Sequence, residues 1–356
     1  MQRDNIVTDN INWWGKPYYS LDAYFKNTYG QKIYKIAVDA GLSCPNRDGS
    51  LDSRGCIFCS AGGSGDFAVR FAAENNTLSV REQIETGISR FNKAVGNKFV
   101  IYFQAYTNTY GDIDYLRRIW SEALEYEDVV GISIATRPDC LGEDVIELLR
   151  ELKEKYCVAK ADSFSEKAED SARGFCLEKF IWVELGLQSI HERTSDYIRR
   201  GYPLATYEEA VLKLGKLEIP YITHIIFGLP GETKDEMLET VFYVEQGIFD
   251  YDKHSQIKPF GMKLQLLHVL KGTDLATDYE AGLFKTMEMD EYIDLVIEAL
   301  QKINPNIVIH RVTGDGPKTL LVSPTWSGNK KLVLNTIHKR MKEREAKQGD
   351  YSIMLW

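Results

Sequence analysis

The feature of this sequence that most constrains its fold is an alternation of short β-rich runs with longer segments of helical spacing. Six apolar runs rich in β-branched and aromatic residues recur along the chain, at 33–38, 98–106, 129–136, 180–189, 220–230 and 262–270. Three of the intervening segments open with a helix-capping pair: Ser79 with Glu82, Thr206 with Glu209, and Thr233 with Glu236. This alternation predicts repeated βα units around a parallel sheet.

The length of 356 residues suits about two domains, or one α/β barrel with additions. No low-complexity linker divides the chain, so we expect a main α/β domain over 31–275 with an N-terminal extension over 1–30. A C-terminal α/β extension over 276–356 holds a further strand at 306–314 and a basic helix, both predicted outside the six-fold repeat. Residues 157–179 are polar where a helix should lead into a strand, which predicts a surface insertion.

Composition restricts the class of protein. Apolar residues make up 44% and charged residues 27%, as in an ordinary globular protein. The N-terminus lacks the pattern of a secretion signal and no apolar run is long enough for a membrane span, so we expect a cytoplasmic protein without a membrane partner. The net charge of −9 argues against binding of nucleic acid, DNA included, over the whole surface. The basic stretch 330–347 fits either a solvated helix face or a local RNA-facing edge.

Polar side chains follow or interrupt the predicted strands. They are Gln104, Tyr106, Thr107, Asn108, Thr136, Arg137, Asp139, Glu184, Gln188, Ser189, His224 and His268. The loops after parallel barrel strands converge on one mouth, so these residues predict a polar site there. A charge such as Glu184 inside an apolar strand is costly unless it is paired or liganded. In the structural alternative, Glu184 pairs with Arg137 and His224 donates to a backbone carbonyl.

Three cysteines, Cys44, Cys56 and Cys59, lie in the glycine-rich loop after the first run. A structural zinc site would require a distant fourth ligand, since the nearest histidine in sequence is His191. A disulfide with a spare thiol does not suit a reducing compartment. Three thiolates suit an iron–sulfur cube in which one iron stays open to a ligand that is not protein.

The stretch "CPNRDGSLDSRGCIFC" resembles the cluster motif of the radical S-adenosylmethionine (SAM) superfamily, in the longer-spaced form of the branch that includes the elongator-complex catalytic subunit. The motifs "QAYTNTY", "TRPDC", "VELGLQS", "THIIFGLPGE", "LLHVLKGT" and "HRVTGDGP" follow in the order of the bacterial YhcC/YtqA-like family. The resemblance implies a partial (β/α)6 barrel of the TIM type, in agreement with the six runs counted independently.

By this resemblance, Cys44, Cys56 and Cys59 hold a 4Fe-4S cluster whose open iron is chelated by SAM. An electron donor such as flavodoxin or ferredoxin would drive reductive cleavage of SAM to a 5'-deoxyadenosyl radical. The resemblance places Phe58 beside the adenine, and Gln188 and Arg200 on SAM, with Arg200 facing its carboxylate. The other implied cofactor contacts are Gln104, Tyr106, Thr107, Asn108, Arg137, Glu184, Ser189 and His224.

Five residues are candidates for substrate binding or proton transfer: Asp139, His224, His268, His310 and Asp315. The "GDGP" segment that contains Asp315 also fits a simple turn. Cys157 and Cys176 belong to the predicted insertion, and two cysteines are too few for a second cluster, so we interpret them as incidental or surface thiols.

The resemblance favours tRNA as the substrate, with the wobble uridine side chain as the target. Conversion of a carboxymethylaminomethyl uridine to an aminomethyl uridine is one concrete reaction. Radical chemistry on a small molecule or a tetrapyrrole is the alternative within the enzymes. A zinc-stabilised, non-catalytic RNA-binding scaffold is the alternative of another class.

Overall fold

The computed structural model describes residues 11–63, 79–90, 96–157, 179–314 and 316–352. The strands in these ranges are β1 (Ile33–Val38), β2 (Lys98–Phe103), β3 (Val129–Thr136), β4 (Phe180–Gln188), β5 (Tyr221–Phe227), β6 (Ile248–Asp250), β7 (Ser255–Ile257), β8 (Gly261–Leu266), β9 (Val269–Leu270), β10 (Val308–Arg311) and β11 (Leu321–Ser323). The α-helices are α1 (Leu21–Tyr29), α2 (Val80–Ser89), α3 (Ile113–Glu125), α4 (Glu143–Tyr156), α5 (Glu192–Tyr197), α6 (Leu204–Lys216), α7 (Lys234–Gln246), α8 (Asp274–Glu280), α9 (Met289–Lys302) and α10 (Lys330–Glu343).

The main sheet is a curled half-barrel of seven parallel strands in the order β1-β2-β3-β4-β5-β8-β10. Strands that follow one another along the chain are neighbours in the sheet, and α3, α4, α6 and α9 lie in the crossovers. The predicted α/β partial barrel is therefore confirmed.

The strand predicted at 306–314 differs from the expectation in one respect. We expected it outside the six-fold repeat, but β10 pairs in parallel with β8 and extends the same sheet. Helix α9 supplies a crossover of the same type as the earlier ones, so β8, α9 and β10 form one more βα unit. An open sheet edge offers unpaired backbone groups, and β10 satisfies those of β8.

Alternate side chains of the strands face opposite sides of the sheet. In β4, Ile181, Val183 and Leu185 belong to the large apolar core shared with the outer helices. On the inner side, Trp182 belongs to a smaller apolar cluster that also holds Phe25 of α1. The rings of Phe25 and Trp182 stack with their centroids 5.8 Å apart. Helix α1 therefore closes the end of the barrel where the strands begin.

Two of the three predicted capping pairs are confirmed. Ser79 with Glu82 and Thr233 with Glu236 form reciprocal capping boxes at the starts of α2 and α7. The third prediction is wrong, because α6 begins at Leu204 and Thr206 lies within its first turn. Pro203 occupies the position before the helix. The backbone N–H of Leu204 donates to the Glu192 carboxylate at 2.8 Å, so the cap comes from another element.

The predicted insertion 157–179 lies almost wholly outside the described residues, as do Cys176 and Asp315. Cys157 is described, and it packs against the outer core directly after α4. Within the described ranges, no helix has the length and apolar character needed to cross a bilayer. The domain boundaries at 30 and 275 stay predictions, with α1 and β10 in contact across them.

Candidate active site

A carboxylate lies at the centre of the barrel interior. Glu184 is fully buried, and its Oε1 accepts hydrogen bonds from Ser133 Oγ at 2.6 Å and Lys35 Nζ at 3.0 Å. Its Oε2 accepts a hydrogen bond from Lys263 Nζ and lies 2.8 Å from His224 Nε2. Four strands besides β4 thus direct a polar side chain at this one carboxylate: β1, β3, β5 and β8.

This cluster is strongly polarised. Burial alone would raise the pKa of Glu184, but Lys263, Lys35 and His224 outweigh burial and hold that pKa well below its ordinary value. Burial lowers the pKa of Lys263 to about 7 despite Glu184, with Lys35 and Arg311 acting in the same direction as burial. Burial and Lys263 likewise lower the pKa of His224 to about 4. The imidazole is therefore neutral at pH 7.

Lys263 also donates to the hydroxyl of Tyr102 at 3.1 Å, which brings β2 into the cluster. We call the six residues Lys35, Tyr102, Ser133, Glu184, His224 and Lys263 the charged floor. Below it lies the apolar cluster that α1 seals. Above it, Gln188 lies four residues further along β4, which is about 13 Å at the usual rise of a strand.

A cavity of about 240 Å³ extends from the charged floor to the cysteine loop. Its upper wall includes the three cysteines and Phe58, and its lower wall includes Glu184. Five cationic side chains line it, counted over the described residues: Arg47, Arg137, Arg200, Lys263 and Arg311. Two of them have carboxylate partners other than Glu184, which are Asp139 for Arg137 and Glu192 for Arg200. The mouth of the barrel therefore leads to a deep and predominantly cationic interior.

The cysteine loop is held by side chains of its own first turn. Arg47 donates from one guanidinium nitrogen to the backbone carbonyls of Cys59 and Ser60, at 2.6 and 2.7 Å. The amide nitrogen of Asn46 lies 3.5 Å from Cys56 Sγ and donates to the carbonyl of Arg199 at 2.7 Å. These contacts fix the path of the chain between Cys44 and Cys59 and attach it to the segment after β4.

The three thiols line the wall of the cavity, where they would hold an iron–sulfur cluster. All three line the cavity, yet among the described residues no three His, Cys, Asp or Glu side chains converge on one ion position. A cube holds each thiolate on a different iron, so its ligands stand apart. Burial, and then the neighbouring Cys59, raises the pKa of Cys56 to about 11, and a bound metal would favour its thiolate form.

Most predicted cofactor contacts line the cavity. They are Phe58, Gln104, Tyr106, Thr107, Arg137, Glu184, Gln188, Arg200 and His224. The Gln188 side chain suits a ligand, because its buried Oε1 has no hydrogen-bond partner among the described residues. Gln188 and Tyr106 also have positive φ angles of 65° and 60°, a strained conformation that often marks functional sites.

Two predicted contacts, Asn108 and Ser189, instead form hydrogen bonds within the protein. The amide nitrogen of Asn108 donates to the carbonyls of Phe103, Ala105 and Ala135, which ties the loop after β2 to β3. Ser189 donates its hydroxyl to Glu232 in the turn after β5. Both side chains are fully buried, and both support the loops that form the mouth.

Arg200 is also committed to the backbone. It is 1% exposed, and it donates to the carbonyls of Ser189 at 2.6 Å, Tyr202 at 3.0 Å and Leu187 at 3.2 Å. Its guanidinium lines the cavity while most of its N–H groups hold the end of β4 in place. A ligand carboxylate at this position would meet a cation whose orientation is already fixed.

The structural alternative for Glu184 and Arg137 is wrong. Arg137 forms a two-pronged ion pair with Asp139, at 2.9 and 2.7 Å, and does not contact Glu184. The alternative for His224 is also wrong, because its ring nitrogen meets the Glu184 carboxylate and not a backbone carbonyl. Glu184 lies beside Ala135 within the sheet, whereas Arg137 follows the end of β3 and pairs two residues further along the chain.

The two other histidines predicted as site residues, His268 and His310, lie in different parts of the barrel. His268 lines the cavity between Gly314 and Gly316, where an added Cβ would approach the ring to 2.3 and 2.6 Å. Its buried Nε2 has no partner among the described residues. His310 instead lies near the apolar end of the barrel, with its ring 5.5 Å from Trp182. The structure therefore places His268, but not His310, on the cavity wall.

Sequence reasoning missed Lys35, Arg47, Tyr102, Lys263 and Arg311. Lys263 carried a usable signal, since it stands in the apolar strand "GMKLQL" as Glu184 stands in "FIWVELGLQ". Because a buried charge is stable only when paired, the sequence could have predicted an ion pair between Lys263 and Glu184.

The family models match the second half of the chain, the Radical SAM superfamily over 166–244 and the Radical_SAM C-terminal domain over 259–343. The uncharacterized protein YtqA of Bacillus subtilis is 40% identical over 94% of this chain and 93% of its own length. Protein YhcC of Escherichia coli is 31% identical over 85% of each. The archaeal Methanocaldococcus infernus Elp3 with its N-terminus deleted has a TM-score of 0.58 at 17% identity, over 89% of this chain and 65% of that one, a likeness in fold alone.

A parallel half-barrel with three cysteines at its mouth, matched by these models, defines a radical SAM enzyme. Within that class, the chain belongs to the family of YtqA and YhcC.

Proposed function

We propose that this radical SAM enzyme modifies the side chain of a wobble uridine in tRNA, with carboxymethylaminomethyl uridine to aminomethyl uridine as the concrete reaction. The observation that carries the proposal is the cysteine loop, whose longer spacing resembles that of the elongator-complex catalytic subunit, at the mouth of a cavity deep enough for an extended side chain. An archaeal Elp3 shares the fold of the barrel in which this cavity lies.

Cys44, Cys56 and Cys59 would hold the 4Fe-4S cluster, and Gln188 and Phe58 face the space that SAM would occupy. When bound, the cluster and SAM together supply a radical that abstracts a hydrogen atom. The protein's part is to keep water and stray C–H bonds away from it. Helix α1 and its apolar cluster close the lower end of the barrel, and the loops held by Asn108 and Ser189 form the upper wall.

The basic C-terminal helix gives the proposal limited support. Arg340 pairs with Asp290 and Asp294 of α9, and Arg344 pairs with Asp294 at 2.7 Å. Much of this basic face is thus neutralised by its neighbouring helix, as the solvated-face interpretation expects. Lys331 and Lys342 remain exposed on α10 and would be the phosphate contacts of an RNA-facing edge.

The proposal also includes an electron donor such as flavodoxin or ferredoxin, and a cytoplasmic location in which thiols stay reduced. A zinc-stabilised scaffold would need a fourth ligand for the metal besides the three thiols. Metal analysis of anaerobically purified protein separates the two. Iron with sulfide is expected, and zinc without iron would contradict the enzyme.

The substrate is tested in a deletion strain by mass spectrometry of the tRNA nucleosides. We expect the precursor uridine to accumulate and the wild-type gene to restore the product, while Cys56→Ala fails to do so. Cys157→Ala is the matched control, since this cysteine packs on the outer core and not on the cavity. Unchanged wobble uridines in the deletion strain would refute the tRNA substrate and leave a small molecule or tetrapyrrole.

A further inference from the structure

The charged floor contains more positive charge than its one carboxylate balances. Lys35 and Lys263 both contact Glu184, and Lys263 also lines the cavity. Two lysines thus share a single acid in the interior of the barrel. Buried charges are stable when paired, so such a surplus indicates a site for an anion.

Lys263 is the cation with room for that anion. It is 3% exposed, yet it lines the cavity. Two of the three N–H bonds of its ammonium meet oxygens, on Glu184 and on Tyr102. The third has no partner in the part of the chain that the structure describes. Burial, which Glu184 offsets only in part, lowers the pKa of Lys263 to about 7.

We propose that Lys263 binds a carboxylate of the substrate at the charged floor. The identity of that substrate rests on the function proposed above, since carboxymethylaminomethyl uridine carries a carboxylate at the tip of its side chain. The anion site itself stands on the geometry of the cavity. A bound carboxylate would pair with the third N–H of Lys263 and balance the surplus positive charge.

The carboxylate of SAM is the other anion that could bind Lys263. The depth of the charged floor within the barrel argues against this assignment. By resemblance, SAM chelates the cluster at the level of the cysteine loop. Glu184, which Lys263 contacts, lies about 13 Å further from the mouth than Gln188, measured along β4. A group that reaches the floor therefore enters past the cofactor, as the end of a long substrate side chain does.

The test compares two anticodon stem–loops, one with carboxymethylaminomethyl uridine and one with its uncharged carboxamide. Affinities are measured by fluorescence anisotropy on the reconstituted protein with SAM. We expect the wild type to prefer the acid by about tenfold or more, because a charge-assisted hydrogen bond in a buried site has this value. Lys263→Met should remove the preference, and Lys263→Arg should retain most of it. Iron content and SAM affinity are measured for each variant, so that a misfolded protein is recognised.

Equal binding of acid and amide by the wild type would overturn the proposal. A preference for the acid that survives in Lys263→Met would also overturn it. So would a Lys263→Met protein that loses affinity for SAM but not for the RNA, since the bound anion would then be the carboxylate of SAM. If neither RNA binds, the proposed tRNA function is refuted, and the anion site is tested separately with small molecules. Sarcosine and its amide are then titrated against the labelled Lys263 signal in NMR spectra. A shift with the acid alone supports the site, and no shift with either compound refutes it.

Discussion

Lys263 and Glu184 form an ion pair in the interior of the barrel, where the lysine is 3% exposed and the carboxylate is not exposed at all. The two residues come from β8 and β4, which are separated in the sheet by β5. The pair therefore crosses the inside of the curled sheet and joins its two halves beneath the cysteine loop.

Replacement of Glu184 by Gln should destabilise the protein. Lys35 and Lys263 would lose the only carboxylate that they contact among the described residues, which costs about 3 kcal/mol or more of the free energy of unfolding. Denaturant unfolding measures this cost. Glu127→Gln is the matched control, because Glu127 is exposed and should change the free energy by less than about 0.5 kcal/mol. Equal stabilities of the two variants would show that the charged floor does not contribute.

Stability should fall as the pH is lowered from 7 to 5. Burial, together with Lys330 and Arg311, lowers the pKa of His268 to about 4, and His224 behaves similarly. The unfolded chain, with ordinary histidines of pKa about 6.5, therefore binds more protons than the folded one in this range. Each of these histidines then contributes a loss of about 1–2 kcal/mol.

Urea unfolding at a series of pH values measures this slope, and His268→Gln should flatten it. A slope that is the same in this variant would mean that His268 titrates normally. Lys263 also makes stability rise with pH, but in a higher range. Its pKa is lowered in the folded protein, so its contribution grows between about pH 7 and its ordinary pKa of about 10.4.

Replacement of Gly63 by Ala should impair assembly of the cluster. Gly63 has a φ of +58°, and an added Cβ would come within 2.3 Å of the ring of Tyr106. Gly41→Ala is matched in backbone conformation, with a φ of +69°, but its Cβ would meet nothing within 4 Å. Both variants bear about 1 kcal/mol of backbone strain, and the clash adds about 1–3 kcal/mol only at Gly63.

Iron and sulfide per chain after reconstitution report the effect on the cysteine loop, and thermal unfolding reports the effect on the fold. We expect Gly63→Ala to bind clearly less iron than Gly41→Ala. The same iron content in both would show that the contact with Tyr106 does not shape the loop.

Replacement of Gln188 by Met should weaken SAM binding with little loss of stability. The buried Oε1 of Gln188 has no partner among the described residues, so its removal breaks no hydrogen bond of the folded protein that involves this atom. A lost hydrogen bond to the ligand corresponds to about a fivefold to tenfold rise in the dissociation constant of SAM. Equilibrium dialysis measures it, and an unchanged constant would mean that Gln188 does not contact SAM.

The local pattern of the sequence accounted for much of the fold. The apolar runs marked the first five strands and β8, because alternation of apolar residues follows from the period of a strand. Ser79 and Thr233 marked two helix starts, because a capping box is closed within four residues. The start of α6 was not predictable in this way, since its cap is the carboxylate of Glu192.

The sequence by itself determined the parallel α/β architecture and the three-cysteine loop, since both depend on short-range order along the chain. It also showed that Glu184 and His224 must have partners, because a buried charge is costly when alone. Only the tertiary structure decided which partners those are. Arg137 pairs with Asp139, two residues further along the chain. Lys35, Lys263 and His224 reach Glu184 from three other strands, and these contacts depend on how whole strands pack together in the curled sheet.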